Sequence, residues 1–197
     1  MLNEITIVST QTKLDDISNI TEEYNIKKLI LVSNKEINLL NLETDPIFEN
    51  IDINILNLNV ENLDLKVSCK EISEFIIKEA EKSSNIVVKL NIENFMLNNA
   101  LYYATCYNKD IIKSVIMYDT NLHKIIYLPL FDFKLSDAKK VILRNIEDGK
   151  NTIEDISKSV NRSHSMVYNH IRDLREVGFI EKDSLKLNNA AKILLSL

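Results

Sequence analysis

The chain has 197 residues, 45% of them hydrophobic, and a formal net charge of −5, which predicts a globular protein of one large domain or two small ones. No run approaches the ~20 apolar residues of a membrane span, and residues 1–4 lack the basic start of a secretory signal, so we expect a cytoplasmic protein. Cys69 and Cys106 have no Cys or His at metal-ligand spacing, and we expect two buried thiols rather than a zinc site or a disulfide.

Charge is unevenly divided along the chain. Residues 1–130 carry 12 Lys and Arg against 19 Asp and Glu, a net charge of −7, whereas residues 131–197 carry 12 against 10, a net charge of +2. Only the second part favours a polyanion such as DNA. Both glycines, Gly149 and Gly178, also lie there, so the first part has no glycine-rich loop to bind phosphates. We therefore predict two domains, residues 1–130 and residues 131–197.

The first part alternates β-branched segments with amphipathic helical patterns, as α/β domains do when crossover helices join parallel strands. Apolar spacing predicts helices through Leu14, Ile17 and Ile20, around residues 72–80, and over residues 95–107. Residues 111–118 and 124–130 predict a closing antiparallel hairpin. Four strands are predicted before this hairpin, over residues 4–9, 29–32, 53–58 and 86–90. Together with the hairpin they predict a six-stranded, Rossmann-like sheet.

Ligands of open α/β sheets bind outside the carboxyl ends of the strands, where the connections diverge. Polar residues follow three of the predicted strands, and each could equally be a turn residue or a helix cap. We take as ligand-binding candidates Ser9, Thr10 and Gln11 after the first strand, Ser33 and Asn34 after the second, and Asn91, Glu93 and Asn94 after the fourth.

No set of residues in the sequence indicates catalysis. The three histidines, His123, His164 and His170, are scattered, and no nucleophile can be paired with a base. We therefore predict no catalytic residue, no metal ligand and no cofactor, and we favour a protein that is not an enzyme.

The second part has the pattern of a helix-turn-helix. Three helices are predicted, each beginning at a capping residue: Ser136, Thr152 and Ser163. Gly149 and Gly178 end the first and third of them. Three short helices with a tight second turn predict a helix-turn-helix.

A predicted hairpin follows the third helix. Residues 179–182 and 185–187 have the pattern of two short strands around Asp183 and Ser184, which is the size of a wing. Residues 190–197 predict a last helix. The whole part therefore predicts a winged helix-turn-helix.

Two sets of side chains are candidates for contacts with double-stranded DNA. The solvent face of the third helix carries residue types that donate to base edges and phosphates in a major groove, and basic residues lie in the turn and the wing. A winged helix used for protein contacts is the alternative. The first set, with the helix cap, is Ser163, Ser165, Tyr168, Asn169 and Arg172, and the second is Arg162, Lys182 and Lys186.

Three segments carry a resemblance to a known family: Leu128-Pro129-Leu130, residues 135–143 (LSDAKKVIL) and residues 163–174 (SHSMVYNHIRDL). The whole chain resembles the CRISPR-associated transcription regulators that join an N-terminal CARF domain to a C-terminal winged helix. The distinctive feature is the order of a six-stranded Rossmann-like domain, a final hairpin leading through Leu-Pro-Leu, and a winged helix.

This resemblance implies a homodimer that binds a cyclic oligoadenylate, above all cyclic tetra-adenylate, between two CARF domains. It also implies regulation of CRISPR loci, and hence a part in antiviral defence. Family members carry Gly-Gly-Thr after the fourth strand, where this chain has Asn91-Ile92-Glu93-Asn94. Glycines let a backbone approach phosphates, and Glu93 would repel them. The alternatives are a winged-helix repressor with a ligand-free dimerisation domain and a ring nuclease that cleaves cyclic oligoadenylate.

Overall fold

The computed structural model describes residues 4–10, 19–21, 23–33, 46–58, 64–83, 85–91, 94–132 and 135–197. The chain divides into two compact units, Met1–Asp132 and Phe133–Leu197. This division lies two residues beyond the boundary predicted from the sequence. Within the described residues, no helix has both the length and the apolar character needed to cross a bilayer.

The first unit contains one sheet with the strand order β3-β2-β1-β4-β5-β6. The first five strands are parallel and β6 is antiparallel to β5, so the predicted six-stranded sheet with a closing hairpin is confirmed. The strands are β1 (Ile5–Thr10), β2 (Ile26–Ser33), β3 (Asp52–Asn57), β4 (Ile86–Leu90), β5 (Ile112–Asp119) and β6 (Lys124–Leu128).

Two helices of this unit are described in full, α1 (Leu65–Ala80) and α2 (Phe95–Tyr107), and they pack against each other. Asp64 begins α1 because its carboxylate accepts the Lys66 and Val67 N–H groups at 2.8 and 3.4 Å. The described residues also include two single 3-10 turns, Pro46–Phe48 and Lys109–Ile111.

The helix predicted through Leu14, Ile17 and Ile20 falls mostly outside the described residues. Residues 19–21 are helical, and Ile20 is fully buried. It packs on one face of the sheet with alternate residues of the central strands, among them Ile5 and Ile7 of β1. Both faces of β1 are buried, and Thr6 and Thr10 on its other face have hydrogen-bond partners.

The second unit contains four helices in its described residues: α3 (Asp137–Glu147), α4 (Ile153–Val160), α5 (His164–Glu176) and α6 (Asn189–Ser196). The three predicted caps are confirmed, since the hydroxyls of Ser136, Thr152 and Ser163 each accept a backbone N–H in the first turn of α3, α4 and α5. Gly149 and Gly178 follow α3 and α5 with φ of +90° and +79°, a conformation that favours glycine.

The predicted wing is shorter than expected. Two strands over 179–182 and 185–187 were predicted, but the structure has a single antiparallel bridge between Ile180 and Leu187. Ile180 and Leu187 are the only fully buried side chains of this hairpin, and they join the core of the three preceding helices. Apart from this bridge, the hairpin forms no ladder pair.

Both cysteines are buried, as predicted. Burial raises the pKa of the Cys69 thiol to about 12, and burial also raises the pKa of Cys106. A thiol that remains protonated is a poor nucleophile, so neither cysteine is prepared for covalent chemistry.

A buried ion cluster joins β2 to the end of α1. The Glu79 side chain is only 6% exposed, and its carboxylate accepts from Lys28 Nζ at 2.6 Å and from Lys82 Nζ at 3.2 Å. Burial alone would raise the pKa of Glu79, but the hydrogen bonds from Lys28 and Lys82 outweigh it, and the pKa lies below its ordinary value. The contribution of Glu79 to stability is therefore present above the ordinary carboxylate pKa of about 4.3 and is lost as pH falls through the lowered pKa.

We predict that Glu79→Gln lowers the free energy of unfolding at pH 7 by about 1–3 kcal/mol, because two ammonium groups lose their charged acceptor. The difference from the parent protein should shrink as pH falls through the lowered pKa of Glu79, because the parent then loses the same charge. Urea unfolding at several pH values measures this. Glu74→Gln is the matched control, since Glu74 is exposed and lies 3.9 Å from Lys70, and it should change stability by less than about 0.5 kcal/mol. Equal effects of the two variants would contradict the prediction.

Candidate functional site

The carboxyl ends of β1 and β4 bring together a group of polar side chains, which we call the strand-edge cluster: Ser9, Thr10, Lys89, Asn91 and Asn98. Ser9 and Lys89 are register partners on the two neighbouring strands. Asn91 follows β4, and Asn98 lies on α2, which contacts both strands. The parallel pairing of β1 with β4 therefore places the strand ends at one edge of the sheet.

The Asn91 side chain connects β4 to β1. Its Nδ2 donates to the Thr10 carbonyl oxygen at 2.9 Å and to Thr10 Oγ1 at 3.1 Å. Its Oδ1 accepts from Lys89 Nζ. Because both ends of the amide are engaged, the orientation of Asn91 is fixed by its neighbours.

The Asn98 side chain pairs with the backbone of Asn91. Asn98 Oδ1 accepts the Asn91 N–H at 3.0 Å and the Thr10 hydroxyl at 2.9 Å, while Asn98 Nδ2 donates to the Asn91 carbonyl at 2.5 Å. These bonds reproduce the two-point pairing of neighbouring strands with a side chain in place of a backbone. We call this pairing the Asn98 clamp.

The predicted ligand contacts occupy different environments. Ser9 and Thr10 are the last residues of β1 rather than loop residues, and both are fully buried. Asn91 is half-buried, and Asn94 is a half-buried cap of α2 whose Oδ1 accepts the Leu97 N–H at 3.2 Å. Of these four, Asn91 and Asn94 are the side chains that reach solvent. Ser33 is buried at the end of β2, and Gln11, Asn34 and Glu93 lie outside the described residues.

Lys89 and Asn98 were not among the residues predicted from the sequence. Lys89 is 1% exposed although it carries an ammonium group, and Asn98 is 8% exposed. A signal was present for each: Lys89 interrupts an apolar strand, and Asn98 lies between Leu97 and Ala100 on the buried side of α2. Polar residues in such positions are retained only where partners are available.

Within the described residues, the hydrogen-bond partners of the Ser9 hydroxyl are a backbone carbonyl and an amide. Ser9 Oγ donates to the Thr10 carbonyl at 2.9 Å and accepts from Asn91 Nδ2 at 3.4 Å. Neither partner is a base, so nothing in these contacts would activate the hydroxyl. The chemistry of the cluster is hydrogen bonding through amides, hydroxyls and one ammonium group.

In the second unit, α4 and α5 form a helix-turn-helix around a tight turn. Asn161 adopts the left-handed conformation, with φ of +48°, and ends α4. Val167, Ile171 and Leu174 form the buried side of α5. Four residues on its opposite side are exposed, and these we call the recognition surface: Ser165, Tyr168, Asn169 and Arg172.

Arg172 is the one cation of the recognition surface, and it has acidic neighbours. Its guanidinium lies 3.9 Å from both Asp173 and Glu176, and its side chain is 58% exposed. Asp173 is held by Lys139 at 3.0 Å, and this hydrogen bond lowers the pKa of Asp173. Asp173 is therefore engaged elsewhere, and at 3.9 Å from both carboxylates the guanidinium is only loosely held.

The side chains predicted to contact phosphates come before and after α5 in the sequence, and all three are exposed. Arg162 lies in the turn before α5, and Lys182 and Lys186 lie in the wing. No ion pair engages any of the three within the part of the chain that the structure describes. The cap residue Ser163 is also exposed, and its Oγ accepts the Met166 N–H at 3.3 Å.

Comparison with known proteins finds a similarity in the second unit. Residues 136–182 match the model of the bacterial regulatory protein, arsR family. A structural likeness extends over 97% of this chain to Can2 from Sulfobacillus thermosulfidooxidans in complex with cyclic tetra-adenylate, with a TM-score of 0.44 and 11% identity. This chain covers 62% of that protein, so it spans less than two thirds of its length. No curated protein matches the sequence.

The two units have the order predicted from the sequence, a six-stranded α/β unit followed by a helix-turn-helix unit with a hairpin. The first unit has the six-stranded sheet with a terminal antiparallel hairpin, and the second has a helix-turn-helix followed by a hairpin. The arsR match covers α3, α4, α5 and the start of the wing. The match therefore lies on the helix-turn-helix itself.

We predict that Asn98→Ala lowers the free energy of unfolding by about 1–3 kcal/mol, because the Asn91 N–H and the Thr10 hydroxyl lose their acceptor. Hydrogen exchange of the Asn91 N–H should accelerate in the same variant, because the Asn98 clamp protects that N–H. Asn99→Ala is the matched control on the next residue, where the side chain donates only to the exposed Phe95 carbonyl at 2.8 Å. The prediction fails if Asn98→Ala is no more destabilising than Asn99→Ala.

Proposed function

We propose that the protein is a transcriptional regulator that binds double-stranded DNA through α5. The observation that carries this proposal is the match of residues 136–182 to a bacterial regulatory helix-turn-helix, together with the exposed recognition surface on its third helix. Asn169 and Arg172 have the donors that read adenine and guanine edges in a major groove. Arg162, Lys182 and Lys186 would bind phosphates and so set orientation rather than sequence preference.

We predict that the double variant Asn169→Ala, Arg172→Ala binds its operator more weakly, by about 1–3 kcal/mol for each base that is no longer read by a side chain. The operator is obtained by selection from a random duplex pool, and affinities are compared at matched salt. Removing Arg162, Lys182 or Lys186 should instead weaken all duplexes alike and flatten the salt dependence.

The matched control for this experiment is Asn189→Ala, Lys192→Ala on α6. It removes one exposed amide and one exposed cation of the same unit without touching α5. It should leave operator preference unchanged. A recognition-surface variant that binds the operator as tightly as the parent protein would show that α5 does not read the DNA, and would favour a winged helix used for protein contacts.

We further propose that the first unit forms a homodimer and senses a cyclic oligoadenylate at the carboxyl ends of β1 and β4. Ligands of such sheets bind at this edge, and the side chains of Asn91 and Asn94 offer amides there. Phe95, 76% exposed at the start of α2, supplies apolar surface beside them. One recognition helix contacts too few base pairs for useful specificity, and a dimer would provide two. Regulation of CRISPR loci follows from the family that the sequence resembles.

Two features support sensing without cleavage. The strand-edge cluster has no base beside a nucleophile, and Glu93 would increase the cost of bringing a phosphate close. A second function, a repressor whose first unit serves only dimerisation, is favoured by one observation. The polar groups of Ser9, Thr10, Asn91 and Asn98 are hydrogen-bonded within the cluster.

We predict that calorimetric titration with cyclic tetra-adenylate gives binding of about one ligand for every two chains, since the site would be shared across a two-fold axis. Operator affinity should change by about 5-fold to 150-fold on binding, the usual range of coupling between sites. Linear products should not accumulate on long incubation. Asn91→Ala should weaken binding, whereas Asn121→Ala, in the turn between β5 and β6, should not.

Each part of this experiment has its own contrary result. Absence of heat with unchanged operator affinity would leave the first unit as a dimerisation scaffold. One ligand for each chain would contradict the shared pocket, and linear products would identify a ring nuclease.

A further inference from the structure

The wing is too small to hold its own position. We define it as residues 179–187, and its only bridge joins Ile180 to Leu187. The Glu181 N–H donates to the Lys186 carbonyl at 2.9 Å, and the Asn188 N–H donates to the Phe179 carbonyl at 3.1 Å. A hairpin with so few cross-strand bonds is marginal in water without further contacts. Its tip must therefore be positioned from outside the hairpin.

Leu185 packs against the helical core, and one side chain of α5 supplies the polar contacts to the tip. Arg175, in the last turn of the helix, donates from Nε to the Glu181 carbonyl at 3.2 Å and from Nη2 to the Ser184 carbonyl at 3.3 Å. Ser184 Oγ closes the tip by donating to the Glu181 carboxylate at 2.7 Å. The guanidinium thus holds both ends of the segment 181–184, which includes Lys182.

The form of the guanidinium matters for this contact. Its planar set of donors can serve two carbonyls in a fixed relation, whereas the ammonium of a lysine is a single point on a flexible stem. An arginine at this position fixes the wing in direction as well as in distance from α5. Lys182 and Lys186 are exposed and without ion pairs in the described residues, so their direction is set by the backbone that carries them.

We propose that Arg175 is a positioning residue that fixes the wing against α5, so that Lys182 and Lys186 reach phosphates while the recognition surface lies in the groove. The inference rests on the proposed DNA binding. Contacts that are already oriented before binding cost less entropy when the complex forms. Removal of Arg175 should therefore weaken the phosphate contacts of the wing even though neither lysine has been altered.

The test uses the full chain and a mixed-sequence duplex, with affinity measured as a function of salt. Lys182→Ala, Lys186→Ala should reduce the salt slope by about 2, close to one for each phosphate contact. Arg175→Lys keeps the charge, so any reduction of the slope comes from misplaced wing lysines. We expect about half of that reduction and about a 10-fold loss of affinity. Arg144→Lys, at an exposed position of α3, is the control and should change neither.

Combination of the variants tests the coupling. If Arg175 acts through the wing lysines, adding Arg175→Lys to Lys182→Ala, Lys186→Ala should cost less than about 2-fold more affinity. Amide exchange without DNA gives an independent measure: exchange at Glu181 and Asn188 should accelerate about 10-fold in Arg175→Lys, while Ile171 in α5 should be unchanged.

The contrary results separate the two proposals. A parent protein that binds no duplex overturns the proposed function, whatever the exchange rates are. Duplex binding with an unchanged slope in Arg175→Lys, or fully additive effects in the combined variant, overturns the role of Arg175 while DNA binding stands. Unchanged exchange at Glu181 and Asn188 overturns the attachment of the wing by Arg175 itself.

Discussion

The polar groups at the carboxyl ends of β1 and β4 are enclosed by the sheet and by α2, and they must pair with one another. An unpaired buried donor or acceptor costs about 1–3 kcal/mol, a large fraction of the stability of a small domain. Asn98 meets this requirement for the Asn91 N–H and the Thr10 hydroxyl at once. The position of α2 on the sheet is therefore tied to hydrogen bonds at the strand ends as well as to apolar packing.

In the second unit, some basic side chains form ion pairs and others have no carboxylate beside them among the described residues. Lys139 pairs with Asp173 and Lys158 with Glu154, which draws acidic groups away from the basic side chains that remain. Arg162, Lys182 and Lys186 stay exposed. A small positive excess is enough to create a favourable surface for a polyanion when the remaining cations are free to approach it.

Signals within a few residues predicted the strands and helices of the fold. The wing and the Asn98 clamp depend on contacts between residues that are distant in the sequence. The parallel strands follow from apolar runs such as residues 29–32, and the helix starts follow from capping residues such as Ser163, because both signals lie within a few residues. The predicted length of the two wing strands was wrong. Ile180 and Leu187 are held by a core that lies outside the hairpin, and the hairpin sequence does not show this. The Asn98 clamp depends on the register of β1 against β4, which residue types alone do not specify.

The Asn98 clamp also bears on how an anion could bind at this edge. A glycine-rich loop binds phosphates through free backbone N–H groups, but here the Asn91 N–H already donates to Asn98 Oδ1. A phosphate must therefore use the side-chain amide of Asn94 or displace hydrogen bonds that Asn91 already makes, the clamp among them. Displacement would give the bound and free states different hydrogen bonds along α2. A ligand can shift an equilibrium only through such a difference, so the clamp that hinders binding is also the element through which binding could be transmitted.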